Sequence, residues 1–315
     1  KHEIAAGWLK PPYAYIKPIA NGRAKDTDER VDLFSHTGSD HWYDIENSNV
    51  VGYHHKRIED VVPVGAVRSV SNNYTVFSLE SFIDEIAHKL KRDPLDLRLS
   101  MLQGKGINAG GNDKDLHPVG VKPFHNISPF QESASINGGK RLANVLRIAT
   151  GLANYGARVL SENTAHGIAI AAAEERTNPS FSDCVAEVHV DPDSAAVTVK
   201  KLTVAIDLGL IVNPDGARAQ IEGSILWGLS NCLHEKLSIQ NGAVVETNFD
   251  QYKWLNIMNL PEIDIHIDEN GTYPSGAGEP ATPIVSPAIM NAVFNASGVR
   301  LRKLPLDRNE LLEQL

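Results

Sequence analysis

Apolar residues recur at helical spacing in three long stretches of the chain. In residues 73–90 the repeat consists of Val76, Phe77, Phe82, Ile83, Ile86, Ala87 and Leu90. Residues 141–155 show the same repeat, and in residues 217–235 an apolar side chain returns every four positions. Because residues three and four apart share one face of a helix, we predict three helices packed against a core.

Two shorter helices follow from local signals. Asp93 and Pro94 can start a helix over 95–102, since Asp caps a first turn and Pro loses no hydrogen bond there. A helix over 288–296 should end near Gly298, after a loop at 276–287.

Several segments alternate between apolar and polar residues or run apolar between turn residues, as strands do. Residues 185–190 and 197–206 flank the turn 191–194 and predict a β-hairpin, and a second strand pair brackets Asn241 and Gly242. Further strands are expected at 167–173 and 261–267, with short β-like runs in residues 1–62.

These elements predict an α+β fold with mixed sheets and packed helices. Residues 104–139 are rich in Gly, Asn, Ser, Pro and His and indicate a connecting segment. We therefore expect a first α+β part at 1–103 and a second α+β domain at 140–315.

Charge and cysteine content narrow the function. A net charge of −9 argues against a nucleic-acid partner, because such proteins neutralise phosphates with clustered Lys and Arg. Cys184 and Cys232 are too few for an iron–sulfur cluster, which usually needs four thiolates. No apolar run approaches the length of a membrane span. The start at Lys1, without Met, suggests a piece of a longer protein, and the compartment stays open between periplasm and cytoplasm.

One carboxylate stands in a loop suited to chemistry. Gly276, Ala277 and Gly278 precede Glu279, and Pro280 follows it. Glycines allow close approach of a bound group, and proline restricts the residue before it, so Glu279 could act as a general base. A turn without chemistry is the alternative.

Five blocks of the chain resemble, in the same order, the molybdenum hydroxylases of the xanthine dehydrogenase and aldehyde oxidase type. The resemblance is closest to the isoquinoline 1-oxidoreductase or aldehyde dehydrogenase beta-subunit branch, and it covers the C-terminal half of the molybdenum-binding subunit. The blocks are 64–71, 77–87 with 93–98, 207–214 with 219–223, 276–281 and 302–306.

The resemblance implies molybdenum-dependent hydroxylation of an aldehyde or an N-heteroaromatic compound. Glu279 would be the general base on a molybdenum-bound hydroxide, and Arg68 would steady negative charge, with a structural salt-bridged Arg as the alternative. The metal would be held by the dithiolene of molybdopterin, with or without a cytosine nucleotide, and protein ligands to the metal are not expected. The cofactor contacts would be Gln220, Gly278, Gly276, Ala66, Ser69 and Gly223.

Ser69 stands where the related carbon monoxide dehydrogenases carry a copper-binding cysteine, so a copper–molybdenum centre is not expected. The partners implied are the N-terminal half of the molybdenum subunit, a [2Fe-2S] electron-transfer subunit that holds the iron–sulfur clusters, and a small-molecule substrate. The alternative is a non-catalytic structural or assembly module that cannot bind pterin by itself.

Overall fold

The computed structural model describes residues 2–6, 38–39, 41–47, 50–54, 65–104, 138–175, 178–270 and 274–315. Within them the fold is α+β with mixed sheets, as predicted. The strands are β1 (His2–Ala6), β2 (Val50–His54), β3 (Thr164–Glu175), β4 (Asn178–Val190), β5 (Val197–Asp207), β6 (Ile239–Gln240), β7 (Ala243–Val244) and β8 (Glu262–Asp268). The helices are α1 (Asn72–Lys89), α2 (Pro94–Ser100), α3 (Gly138–Leu152), α4 (Pro214–Leu233), α5 (Thr282–Ser297) and α6 (Arg308–Gln314), with a 3₁₀ turn at Ile257–Asn259.

The central sheet has the strand order β3-β4-β5-β8. Its first three strands are antiparallel, and β8 joins β5 in parallel. The predicted hairpin is confirmed as β4 and β5, whose turn is held by Asp191 Oδ1 accepting from the N–H groups of Asp193 and Ser194. β6 and β7 confirm the strand pair around Asn241 and Gly242, which both have positive φ (51° and 79°). β1 and β2 form a separate parallel pair.

The central sheet lies between two helical layers, because alternate residues of its strands face opposite sides. One face packs on α4 and α5 through Ala169, Ala171, Cys184, Ala186, Val204, Ile206, Ile221, Ile225, Ile284 and Ile289. The other face packs on α1, α2 and α3 through Ile168, Ile170, Phe181, Val185, Ala205, Ile83, Leu97, Leu142 and Leu146.

Two glycines allow α5 to approach its neighbours closely. A Cβ added at Gly167 on β3 would lie 2.1 Å from Ala292 N, and one at Gly228 on α4 would lie 2.5 Å from Thr282 O. Both distances are shorter than real Cβ contacts, so a side chain would push α5 away. The first turn of α5, which follows the Glu279 loop, is therefore pressed against α4.

The start of α5 corrects one prediction. Residues 282–287 were expected to belong to a loop, but the helix begins at Thr282. Pro283 fits the first turn, where its missing N–H is not required. Pro287 lies inside the helix, where proline usually costs about 3 kcal/mol. Burial of Ile284, Val285, Ala288 and Ile289, all at 0% exposure, offsets that cost.

The segment that was expected to connect two domains lies largely outside the described residues, as do most of residues 1–62. On its two sides, α1 and α2 share a core with α3 and the central sheet. No helix in the described ranges is both long enough and apolar enough to cross a membrane.

Candidate active site

The loop that carries Glu279 lies between β8 and α5. Glu279 is half-buried, whereas Pro280 and Ala281 are buried. The Glu279 carbonyl accepts a hydrogen bond from Thr282 N at 3.1 Å, so the acid stands directly before the first turn of α5. The site therefore presents one carboxylate at the end of a buried helix.

Two serines of β4 hold the ends of this loop. Ser180 Oγ donates to Gly276 O at 2.7 Å, and Ser182 Oγ donates to Pro280 O at 3.0 Å. Both serines have 0% exposure. Since buried carbonyl groups need partners, these hydroxyls supply bonds that a second strand would otherwise provide.

Arg68 and Ser69 reach the middle of the loop from the turn before α1. Arg68 Nε donates to Gly278 O at 2.6 Å, and Ser69 Oγ donates to Glu279 O at 2.6 Å. Arg68 Nη2 also donates to Gln220 O at 3.0 Å and to Gln220 Oε1 at 3.1 Å. The guanidinium group thus joins the Glu279 loop to α4.

The turn itself is conformationally unusual. Ser69 and Val70 have φ of 70° and 46°, values that favour glycine. Asn73 Nδ2 holds the turn by donating to Arg68 O at 2.6 Å and to Val70 O at 3.2 Å. Strain at two consecutive backbone residues persists only when contacts with the surrounding structure hold that conformation in place.

Helix α4 brings a second hydroxyl to the same carbonyl. Ser224 Oγ lies 3.2 Å from Glu279 O and 2.6 Å from Thr282 Oγ1. Gly223, its neighbour, leaves room for Arg68, because a Cβ there would lie 3.3 Å from Arg68 Nη1. Asn213 and Pro214 begin this helix, with Asn213 Oδ1 accepting from Gly216 N at 3.0 Å.

The loop is also tied to the end of β5. Asp207 is buried and receives two hydrogen bonds from Arg141, Nε to Oδ2 at 2.7 Å and Nη2 to Oδ1 at 2.6 Å. Gly209 N donates to Asp207 Oδ1 at 2.9 Å, and Ser275 N donates to Leu208 O at 2.9 Å. Leu208, in the block 207–214, therefore holds the N-terminal side of the Glu279 loop at Ser275.

Of the residues predicted for the site, seven converge around this loop: Arg68, Ser69, Gln220, Gly223, Gly276, Gly278 and Glu279. Ala66 lies exposed, two residues before Arg68. Arg68 joins two backbone segments through carbonyl groups, and its role in steadying negative charge stays a prediction. Among the described residues, no cluster of three or more His, Cys, Asp or Glu could hold a metal ion.

Sequence reasoning missed three serines that hold the loop. Ser224 could have been found, since it lies four residues after Gln220 and so shares its helix face. Ser180 and Ser182 gave no such signal. They lie in a polar stretch that did not indicate a strand, and β4 extends through it from Asn178.

Two family models, both described as molybdopterin cofactor-binding domains, match residues 19–102 and 133–261. Over the whole chain it is 38% identical to a protein of Gluconacetobacter polyoxogenes named membrane-bound aldehyde dehydrogenase [pyrroloquinoline-quinone]. Over 78% of the chain it is 28% identical to isoquinoline 1-oxidoreductase subunit beta of Brevundimonas diminuta. The chain spans 38% and 27% of the lengths of these two relatives.

The fold is similar to that of a solved structure, the aldehyde oxidoreductase from Desulfovibrio gigas. The TM-score is 0.61 at 16% sequence identity, and the match covers 99% of this chain and 46% of that one. The structural similarity thus includes the parts of the chain before and after the segment 105–137.

Proposed function

We propose, because this chain belongs to the molybdenum hydroxylase family, that it forms the Glu279-bearing wall of a molybdenum-cofactor site and takes part in oxidising an aldehyde or an N-heteroaromatic compound. The observation that carries this proposal is the convergence of Arg68, Gln220 and Glu279 on one clamped loop. A general base must be held in a fixed place to be effective, and this loop is held at four of its carbonyl groups.

The donor set fits a molybdenum–pterin cofactor, in which the metal would carry an oxo ligand and the pterin would carry phosphate oxygens. Arg68 brings positive charge, and the Gln220 amide can donate through Nε2 while its Oε1 accepts from Arg68. Gly223, Gly276 and Gly278 add no side-chain bulk. We propose that Gln220, Gly223, Gly276, Gly278 and Ala66 line the cofactor side of the site, and that Ser69, whose buried hydroxyl donates to Glu279 O, supports this side through the loop.

When bound, the cofactor would supply a water-derived nucleophile and would accept two electrons from the substrate. Glu279 then has one task, which is to take up a proton at a carboxylate oxygen. Arg68 keeps the loop against α4, and Pro280 and the first turn of α5 fix the residue from its C-terminal side. Each of these contacts reduces the freedom of the carboxylate.

The length of the relatives and the cysteine content of this chain indicate which partners it needs. The relatives that it matches are more than twice its length, so the rest of the molybdenum subunit should complete the site. Electrons need a further carrier. Cys184 and Cys232 are both buried and lie on different elements, so we propose that a separate [2Fe-2S] subunit receives the electrons.

The test is to purify the chain with the remainder of the subunit and its electron-transfer partner. Molybdenum is measured by mass spectrometry, pyrroloquinoline quinone by extraction and chromatography, and turnover on aldehydes and N-heterocycles. Glu279→Gln should keep the molybdenum content and lose about 10²- to 10⁴-fold in kcat, as expected for loss of a general base. Glu313→Gln, at an exposed position of α6, is the matched control and should retain full activity.

Three results would contradict the proposal. Folded assembly without molybdenum would favour a structural or assembly module. Stoichiometric pyrroloquinoline quinone in place of molybdenum would instead favour the cofactor after which the Gluconacetobacter relative is named. Full activity in Glu279→Gln would remove the assigned base.

A further inference from the structure

Among the described residues of the loop, the carbonyl group of Glu279 accepts the most hydrogen bonds. It accepts from Ser69 Oγ at 2.6 Å, from Ser224 Oγ at 3.2 Å and from Thr282 N at 3.1 Å. Ser69 and Ser224 both have 0% exposure, and they come from segments 155 residues apart in sequence (224 − 69). Two buried hydroxyls from distant elements therefore meet on one backbone oxygen.

Serine at position 69 adopts a backbone conformation that is sterically unfavourable for it. Its φ of 70° lies in the left-handed region, where glycine has no steric cost and other residues usually do. A glycine would satisfy the backbone but would bring no hydroxyl. The bond from Ser69 Oγ to Glu279 O gives a physical reason for serine at this strained site.

We propose that Ser69, assisted by Ser224, is a positioning residue for the Glu279 carboxylate. The two hydroxyls fix the carbonyl of Glu279 and hence the direction in which its side chain leaves the loop. The flanking bonds at Gly276, Gly278 and Pro280 hold the rest of the loop, so the two serines fix the remaining backbone position, that of Glu279 itself. The catalytic consequence rests on the proposed function.

A pair of variants at one position separates positioning from stability. Ser69→Ala removes the hydroxyl and keeps the strain, whereas Ser69→Gly removes both. Ser69→Gly should therefore unfold at a higher temperature than Ser69→Ala. If Ser69 positions Glu279, both variants lose kcat by about 10- to 100-fold with little change in KM, the loss expected for displacement of a reacting group by about 1 Å.

Two further variants complete the design. Ser224→Ala removes the second hydroxyl. Because alanine favours helix, α4 should still fold in this variant, and we expect a smaller loss of kcat than in the Ser69 variants. Ser297→Ala is the matched control, because Ser297 Oγ donates to Val293 O at 2.7 Å near the other end of α5. It removes this serine-to-carbonyl bond, together with the bond that Val299 N donates to the same hydroxyl, without touching the loop, and it should leave kcat unchanged.

Hydrogen–deuterium exchange of the amides in residues 275–281 gives a readout that needs no turnover. Exchange should be faster in Ser69→Ala and Ser224→Ala than in wild type, and unchanged in Ser297→Ala. If the assembly held no molybdenum and had no activity, the proposed function would fail. The exchange experiment would still test whether Ser69 and Ser224 hold the Glu279 loop. Two results would overturn the positioning role. One is amide exchange at the wild-type rate in both Ser69→Ala and Ser224→Ala, and the other is a kcat that simply follows the unfolding temperature across the variants.

Discussion

Arg98 and Glu80 form an ion pair that is completely enclosed: Arg98 Nε lies 2.9 Å from Glu80 Oε2, and neither side chain is more than 1% exposed. Glu80 also accepts from Tyr43 Oη at 2.7 Å and from Ile170 N at 3.1 Å. Arg98 further donates to Glu80 O and Pro94 O. One pair therefore joins α1, α2, β3 and the segment around Tyr43.

Removal of the arginine should be among the most damaging single changes in the chain. Arg98→Met leaves Glu80 buried without its countercharge, and such a loss usually costs about 3–5 kcal/mol in the free energy of unfolding. Arg302→Met is the control, because Arg302 pairs with Glu85 at 2.9 Å on the surface, where it is 65% exposed. It should cost less than about 1 kcal/mol by urea denaturation. Equal losses in both variants would contradict the importance of burial.

Close packing between β3 and α5 gives a second prediction. Gly167→Ala would place a Cβ 2.1 Å from Ala292 N and 2.3 Å from Ala288 O, and neither backbone atom can move without moving the helix. We expect a loss of about 1–3 kcal/mol in unfolding free energy. Gly151→Ala, at an open position of α3, should instead gain about 0.4–1 kcal/mol. A neutral Gly167→Ala would show that α5 can shift freely.

Local signals in the sequence were sufficient for much of the fold. Asp93 and Pro94 predicted the start of α2, and Asp93 Oδ1 accepts from Leu95 N at 2.7 Å. The apolar repeats located α1, α3 and α4 to within three residues at each end. The Gly276–Pro280 stretch and Arg68 were predicted for the site, and the structure brings them together. Each of these signals is carried by residues close in sequence.

The features that the sequence did not reveal depend on partners far away in the chain. Ser180 and Ser182 look like loop residues until the Glu279 loop provides acceptors for their hydroxyls. Pro283 and Pro287 indicate a loop until the apolar side chains around them are known to be buried between the sheet and α4. Propensity is a weak guide where tertiary contacts compensate for it.

The two cysteines should be unreactive in the folded protein. Burial raises the pKa of the Cys232 thiol to about 12, and burial, with the neighbouring Asp183, raises the pKa of Cys184 well above its usual value. Because the thiolate is the reactive form, Ellman's reagent should detect no thiols in the native chain and two after unfolding in guanidinium. Rapid modification of either cysteine in the folded protein would contradict this arrangement.

Asp183 makes stability depend on pH. It is fully buried on β4, and in the part of the chain that the structure describes its carboxyl oxygens have no hydrogen-bond partner beyond a weak contact with the backbone N–H of Cys184. Burial raises its pKa well above the ordinary value; the charge of Arg98 opposes this shift and that of Glu80 adds to it. The folded chain therefore keeps this proton at pH values where the unfolded chain has lost it.

The sign of the effect follows from proton linkage. As pH rises above the ordinary Asp pKa of about 4, wild type loses up to about 1.4 kcal/mol of stability per pH unit until the folded pKa is reached. Asp183→Asn carries no titrating proton, so its stability relative to wild type should be constant below the ordinary Asp pKa of about 4 and should rise as pH increases above it towards pH 7. Urea denaturation across this range measures the difference. Asp193→Asn, at an exposed turn position, should show no such trend. A constant difference between Asp183→Asn and wild type would mean that Asp183 has the same pKa in the folded and unfolded chain, and another group would then have to account for any pH dependence in this range.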